Sequence, residues 1–175
     1  MQCSVYIAVS LDGFIARSDG TIDWLANVQR AGEDYGYKRF FDAIDTVIIG
    51  RKTYDQVLGF DPWPYAGKRC VVMTHAPPVS RHGETFFDGS ALELVAGLRE
   101  DGARRAYVDG GLVIQQFLAA GLVTDLTLSV IPILLGEGIR LFGKTGRDVP
   151  LALIRSTRFD TGLAQLEYRI AAHAT

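Results

Sequence analysis

Two short stretches of this chain combine glycine with groups that bind anions. Gly50-Arg51-Lys52-Thr53 places two cations and a hydroxyl directly after a glycine. A phosphate monoester is held by such a set, charge-assisted donors beside backbone N–H groups. The second stretch, Asp109-Gly110-Gly111, follows Tyr107-Val108 and precedes an apolar, helix-like run. Paired glycines there let a pyrophosphate lie against the backbone. Taken singly, each is weak: a glycine after a strand is more often a simple turn, and Arg-Lys at a helix start is more often solvated. The G-x-G-x-x-G spacing is absent, which argues against an ordinary Rossmann site.

The elements that must position these turns follow from periodicity. Ser4-Val5-Tyr6-Ile7-Ala8-Val9 is an almost unbroken apolar β-type run, and Ser10-Leu11-Asp12-Gly13 ends it in a turn. Residues 33–43 read as a helix, with Tyr37, Phe40, Phe41 and Ile44 at three- and four-residue steps. Strands are expected at 45–49, 70–74 and 106–108, and helical turns after each glycine stretch, the second reaching Ala120. Residues 59–68, rich in Pro, Gly and aromatics, are a loop. Ser90 with Glu93 forms a capping box for a helix to about Glu100. Strands at 126–135, 151–159 and 163–170 follow, the last two joined by an Asp160-Thr161-Gly162 hairpin turn. Alternating β and α followed by a β tail implies an α/β, three-layer fold. Its central sheet is mostly parallel, with an antiparallel C-terminal edge and helices on both faces.

At 175 residues and 48% hydrophobic content, one domain with one core is the default, here spanning 1–175. A net charge of -2 leaves no electrostatic footprint for nucleic acid or an anionic membrane. No run approaches a membrane span and no leader is visible, so a cytoplasmic protein is expected. Cys3 and Cys70 read as buried thiols, and His75, His82 and His173 show no metal-ligand spacing.

Together these pieces resemble the dihydrofolate reductase-like superfamily over nearly the whole chain. Val47-Ile48-Ile49-Gly50-Arg51-Lys52-Thr53-Tyr54 is similar to its "VIMGRxTW" strand and turn, and Gly67-Lys68-Arg69-Cys70-Val71-Val72-Met73-Thr74 to its "GRxNIILS" strand. Val108-Asp109-Gly110-Gly111 with Gln115-Gln116-Phe117-Leu118 resembles the glycine pair and "EQFL" helix. Ser10-Leu11-Asp12-Gly13-Phe14-Ile15-Ala16 is similar to the "SLDGKIA" opening of the pyrimidine-reductase domain of riboflavin biosynthesis. The segment from Pro132 to Phe142 follows that group's "P…GGxGxPLF" signature. The stand-alone deaminase-reductase group carries both sets of motifs.

The resemblance implies NADPH as cofactor. It places Gly50, Arg51, Lys52 and Thr53 along it, with the cations or Thr74 and His75 near the 2′-phosphate. Gly110 and Gly111 would meet the nicotinamide side and pyrophosphate through an unusual cis peptide, and Gln116 the adenosine half. Ala8, Ile15 and Trp24 would border nicotinamide and substrate, with Tyr37 and Lys68 also on the substrate side. Hydride transfer to C=N or C=O calls for a proton donor. Asp34 lies 16 residues before Gly50, the family's offset for its catalytic carboxylate, and Asp12 is the second candidate. The plain alternatives are a helix-start carboxylate for Asp34 and a turn residue for Asp12.

Two positions depart from the relatives. Phe14 stands where the riboflavin reductases carry a phosphate-binding lysine, and Lys68 where folate reductases carry a carboxylate-binding arginine. The aromatic set Trp24, Phe60, Trp63 and Tyr65 suits either a stacked heterocycle or packing. The leading expectation is an NADPH-dependent reductase of a pteridine- or pyrimidine-like heterocycle. It would be most like 5-amino-6-(5-phosphoribosylamino)uracil reductase or dihydrofolate reductase. The alternative is a ligand-binding protein that kept the fold without the chemistry. A homodimer is expected from the apolar run Val130-Ile131-Pro132-Ile133-Leu134-Leu135 near a sheet edge.

Overall fold

The computed structural model describes residues 1–171, so His173 lies outside it. Along the chain the first strands and helices are β1 (Gln2–Ser10), β2 (Phe14–Ala16), α1 (Tyr37–Asp42), β3 (Thr46–Gly50), α2 (Arg51–Val57), β4 (Arg69–Met73) and β5 (Thr85–Phe87). There follow α3 (Ala91–Glu100), β6 (Arg105–Asp109), α4 (Gly111–Ala119), β7 (Asp125–Ile131), β8 (Ile139–Arg140), β9 (Leu151–Arg158) and β10 (Ala164–Ile170). Eight strands form one sheet in the order β5-β4-β3-β6-β1-β7-β10-β9, and β2 pairs with β8 in a small second sheet. The pairs from β5 to β7 are parallel; β10 runs antiparallel to β7, and β9 to β10.

Strand alternation divides the core. On one face Val5, Val9, Ile48, Val71, Ala106 and Val108 pack under α3 and α4. On the other, Val47, Ile49, Val72 and Tyr107 pack with Tyr54 and Val57 of α2 and Tyr37, Phe40 and Phe41 of α1. Consecutive residues thus enter opposite cores, which is why the parallel strands are apolar on every residue. The capping box is present: Ser90 Oγ accepts from Glu93 N–H, and the Glu93 carboxylate accepts from Ser90 N–H at 2.8 Å.

Three expectations change. The helix expected over 33–43 is only α1, because Gly36 turns the chain at φ +88 before it. A short 3-10 helix, Asp23–Val28, precedes it instead. The strand expected over 126–135 stops at Ile131, and β7 lies inside the sheet between β1 and β10. Ile131, Ile133 and Leu135 pack with Trp24 in a third core cluster, so the apolar run is not a sheet edge. The exposed edge is β9, where Leu151, Leu153 and Ile154 are all exposed.

Candidate active site

Parallel strands deliver their carboxyl ends to one rim of the sheet, and the expected cofactor residues gather there. Gly50 closes β3, Thr74 and His75 follow β4, and Gly110 follows β6; β4, β3 and β6 are neighbours. The two glycine turns touch. A Cβ on Gly110 would lie 2.5 Å from Thr53 Oγ1, and one on Gly50 would lie 3.1 Å from Val113 of α4. Gly110 also has φ +92, a conformation that side chains resist. Close packing of the turns therefore demands these glycines before any ligand arrives. The cis peptide expected at Gly110–Gly111 is not found; among the described residues the one cis bond is Asp61–Pro62.

The cations of the first turn differ in freedom. Arg51 Nε bonds Asp55 at 2.8 Å, and its Nη1 donates to the Ala76 carbonyl at 2.7 Å, tying α2 to the loop after β4. Lys52 is exposed and has no ion pair among the described residues. His75 pairs with Asp88, and Thr74 Oγ1 accepts from Ala76 N–H at 3.1 Å. Ile15 of β2 lies over Gly111, where a Cβ would meet its Cδ1 at 3.0 Å. Gln116 is exposed on α4, whereas its neighbour Gln115 donates to the Arg140 carbonyl at 3.0 Å.

Beyond β1 lies a cavity of about 680 Å³, a volume suited to a small molecule. Ala8, Leu25, Val28, Ile131 and Leu163 give it apolar walls, and Asp34, Tyr37, Tyr6 and Ser129 supply polar groups. Trp24 is not in this wall. It is buried behind the cavity with Val28, Ile131 and Leu163, and its Nε1 has no partner among the described residues. Lys68 is not in the wall either. Its Nζ donates to the Ile44 carbonyl at 2.5 Å and sits 5.1 Å from the Phe41 ring centre. The charge thought to meet a substrate carboxylate is thus committed to the backbone before β3. Phe14 is buried under the Arg140 guanidinium, 4.6 Å from its ring centre. Trp63 stacks on His82 and Tyr65 is buried, so both aromatics are packing groups.

Neither expected proton donor holds its proton well. Asp12 accepts from Ser10 Oγ and from the Leu135 and Gly136 amides, which bring its carboxyl down to about 2. It clips the turn after β1 to the loop after β7. Asp34 accepts from Gly36 N–H at 2.9 Å and Lys38 N–H at 3.0 Å, and these bonds lower its carboxyl too. It caps α1 while lining the cavity.

A third carboxyl behaves oppositely. Asp109 ends β6 half-buried, accepting from Gly110 N–H at 2.7 Å. Burial raises it above the ordinary aspartate value, against that bond and the nearby Tyr107 and Tyr65 hydroxyls. In turn, burial first and then the Asp109 charge push the Tyr37 phenol up to about 12. Sequence reading passed over Asp109 as part of a glycine turn. The available signal was a carboxylate ending a buried apolar strand. No cluster of three or more potential metal ligands occurs among the described residues.

The RibD C-terminal domain family matches residues 3–165. The chain belongs to this family. Among curated proteins, YwjB of Bacillus subtilis (strain 168) is 36% identical over 167 residues, covering 94% of this chain and 95% of that protein. YyaP of the same organism is 29% identical over 175 residues, covering 93% and 91%. A solved structure from Shewanella sp. PV-4, of a protein assigned by name only to riboflavin biosynthesis, superposes with TM-score 0.92 at 33% identity, covering 98% of this chain and all of that one. The deaminase/5-amino-6-(5-phosphoribosylamino)uracil reductase of Thermotoga maritima shares the fold, with TM-score 0.73 at 15% identity. There the match spans 97% of this chain but 56% of that one. The fold of this RibD C-terminal domain is thus the dihydrofolate reductase-like one expected. No helix among the described residues is long and apolar enough to cross a membrane.

Proposed function

We propose that the chain is an NADPH-dependent reductase of a pyrimidine- or pteridine-like heterocycle. The observation that carries this is the meeting of the two glycine turns beside a mostly apolar cavity holding one ionised aspartate. Family membership supports the reaction class.

A reduced nicotinamide supplies a hydride when bound. The residues that would hold the cofactor are Gly50, Thr53, Gly110 and Gly111 along its backbone, with Arg51, Lys52, Thr74 and His75 toward the 2′-phosphate. Ala8 and Ile15 flank the substrate-facing end. The fit is local: Lys52 is exposed with no ion pair among the described residues, and the glycines let the two turns pack against each other at the rim. Asp34, held ionised by two amides, accepts hydrogen bonds from ring N–H or amino groups and orients the heterocycle. Asp109 retains its proton to higher pH than either other aspartate and is the acid that delivers it, directly or through Tyr37.

Titration with NADPH, followed by nicotinamide fluorescence, tests the cofactor. Loss of absorbance at the reduced nicotinamide band with 5-amino-6-(5-phosphoribosylamino)uracil or a dihydropterin tests the reaction. Absence of cofactor binding at high micromolar concentration would contradict the proposal.

A further inference from the structure

Behind the cavity wall contributed by Tyr6, Tyr35 and Ser129 sits a buried polar network, centred on Gln165, that neither the glycine turns nor the aspartates explain. Gln165 of β10 and Ser129 of β7 are directly opposite one another, and both are buried. Gln165 Nε2 has two protons and three acceptors within reach: Tyr6 Oη at 2.9 Å, the Tyr35 carbonyl at 2.9 Å and Ser129 Oγ at 3.2 Å. Tyr6 Oη donates its own proton to the same Tyr35 carbonyl at 2.6 Å. Two donors from two strands therefore converge on one backbone oxygen.

Tyr35 is the one non-glycine residue among those described with a positive φ, +56. A bulky side chain in that conformation costs free energy and persists only where its surroundings over-determine it. Here the surroundings are visible. Its carbonyl is clamped as described, its ring packs edge-on to Phe159 at 4.8 Å, and its hydroxyl meets the Val28 carbonyl and Thr161. The residue held in this way directly follows Asp34 and directly precedes Gly36, which opens α1.

We propose that Gln165 is a positioning residue for the substrate. Through the Tyr35 carbonyl it sets where the Asp34 carboxylate stands in the cavity. Ser129 Oγ accepts from Gln165 Nε2 at 3.2 Å, the longest of the three contacts, and its own hydroxyl proton can turn toward the cavity. The Ser129 hydroxyl, in the cavity wall, then donates to a carbonyl oxygen or ring nitrogen of the substrate, while Asp34 accepts from that ring's N–H groups. The class selected is a planar ring with both kinds of group on its edges, such as an aminopyrimidinone. This assignment rests on the reading of the cavity as the heterocycle site.

Gln165→Leu removes the donor, and Tyr6→Phe removes the second donor while keeping the ring, in case the first variant folds poorly. In both, KM for 5-amino-6-(5-phosphoribosylamino)uracil should rise about tenfold with kcat within about threefold and NADPH affinity unchanged. Amide hydrogen exchange at residues 34–36 should accelerate by a similar factor. Ser129→Ala should raise KM without accelerating that exchange. Unchanged KM, or NADPH affinity falling in parallel, would overturn the assignment. If the native protein does not reduce the aminouracil, the functional reading fails instead. The exchange measurement still decides the positioning role, because equal exchange in native protein and both variants refutes it.

Discussion

Asp34 and Asp109 both neighbour Tyr37, yet their surroundings push their protons in opposite directions. The Asp34 backbone carbonyl accepts from Tyr37 N–H at 2.9 Å, and its exposed carboxylate takes two further amides. Asp109 is enclosed with tyrosines and takes one amide, from its own neighbour Gly110. Solvent and two N–H donors favour the charged form at the first; at the second, burial outweighs the Gly110 amide and the Tyr107 and Tyr65 hydroxyls and leaves it raised. Glu84 shows that burial alone does not decide the matter. Burial pushes it up as well, but the Tyr54 hydroxyl and the Arg81 and His82 amides hold it at about 2. The strength of the donors aimed at a carboxyl, weighed against its loss of water, separates an anchor from an acid.

The largest effect that can break this comparison is expected for Asp109→Asn. Turnover should fall about 100-fold or more with cofactor affinity retained, as for loss of a positioned acid. A kcat that survives this change but collapses in Asp34→Asn would reverse the two roles. Stability should move oppositely in the two variants. The raised Asp109 favours the folded state most below the ordinary aspartate value of 3.8, and that contribution is lost as pH rises through its folded value. Asp109→Asn should therefore leave thermal stability at pH 8 equal or higher. Asp34, being lowered, stabilises above 3.8 and loses this as pH falls through its folded value, so Asp34→Asn should lower the melting temperature at pH 8. Thermal unfolding at pH 3 and pH 8 checks both signs.

Gly110→Ala tests whether Asp109 depends on the turn beside it. With φ +92 and Thr53 Oγ1 at 2.5 Å from the added carbon, it should cost about 1–3 kcal/mol in denaturant unfolding and weaken NADPH binding. Glu84→Gln, distant from the cleft, should cost about 2 kcal/mol at neutral pH. The Glu84 contribution is present above 4.5 and lost as pH falls toward 2, so the variant should also show a flatter acid-unfolding profile across that interval. Lys68→Met should be the mildest, about 1 kcal/mol of stability from the lost bond to Ile44, with substrate KM unchanged. A large KM increase there would restore Lys68 to the substrate site.

The cofactor rim was largely legible in the sequence because its determinants are local. Gly50 through Thr53 and Gly110-Gly111 each lie within a few residues of a strand end, so chain order alone places them. The substrate side was legible only in part. Asp34, Tyr37 and Ala8 do line one cavity, but the state of Asp109 depends on its burial and on Tyr65, which arrives from a separate loop. Lateral strand order was invisible for the same reason. The apolar run after Val130 suggested an edge, whereas the exposed edge is β9 with Leu151, Leu153 and Ile154. If the chain forms a homodimer, this edge is where a second copy should pair, and Leu153→Lys should then reduce the mass seen by light scattering.

The central claim is that Asp109 binds its proton more tightly than Asp34 does. Carboxyl carbon-13 chemical shifts followed by NMR from pH 2 to pH 9, with Asp109→Asn and Asp34→Asn for assignment, measure it directly. The account predicts that Asp109 titrates above 3.8 and Asp34 below it. Asp109 titrating at or below Asp34 would contradict it.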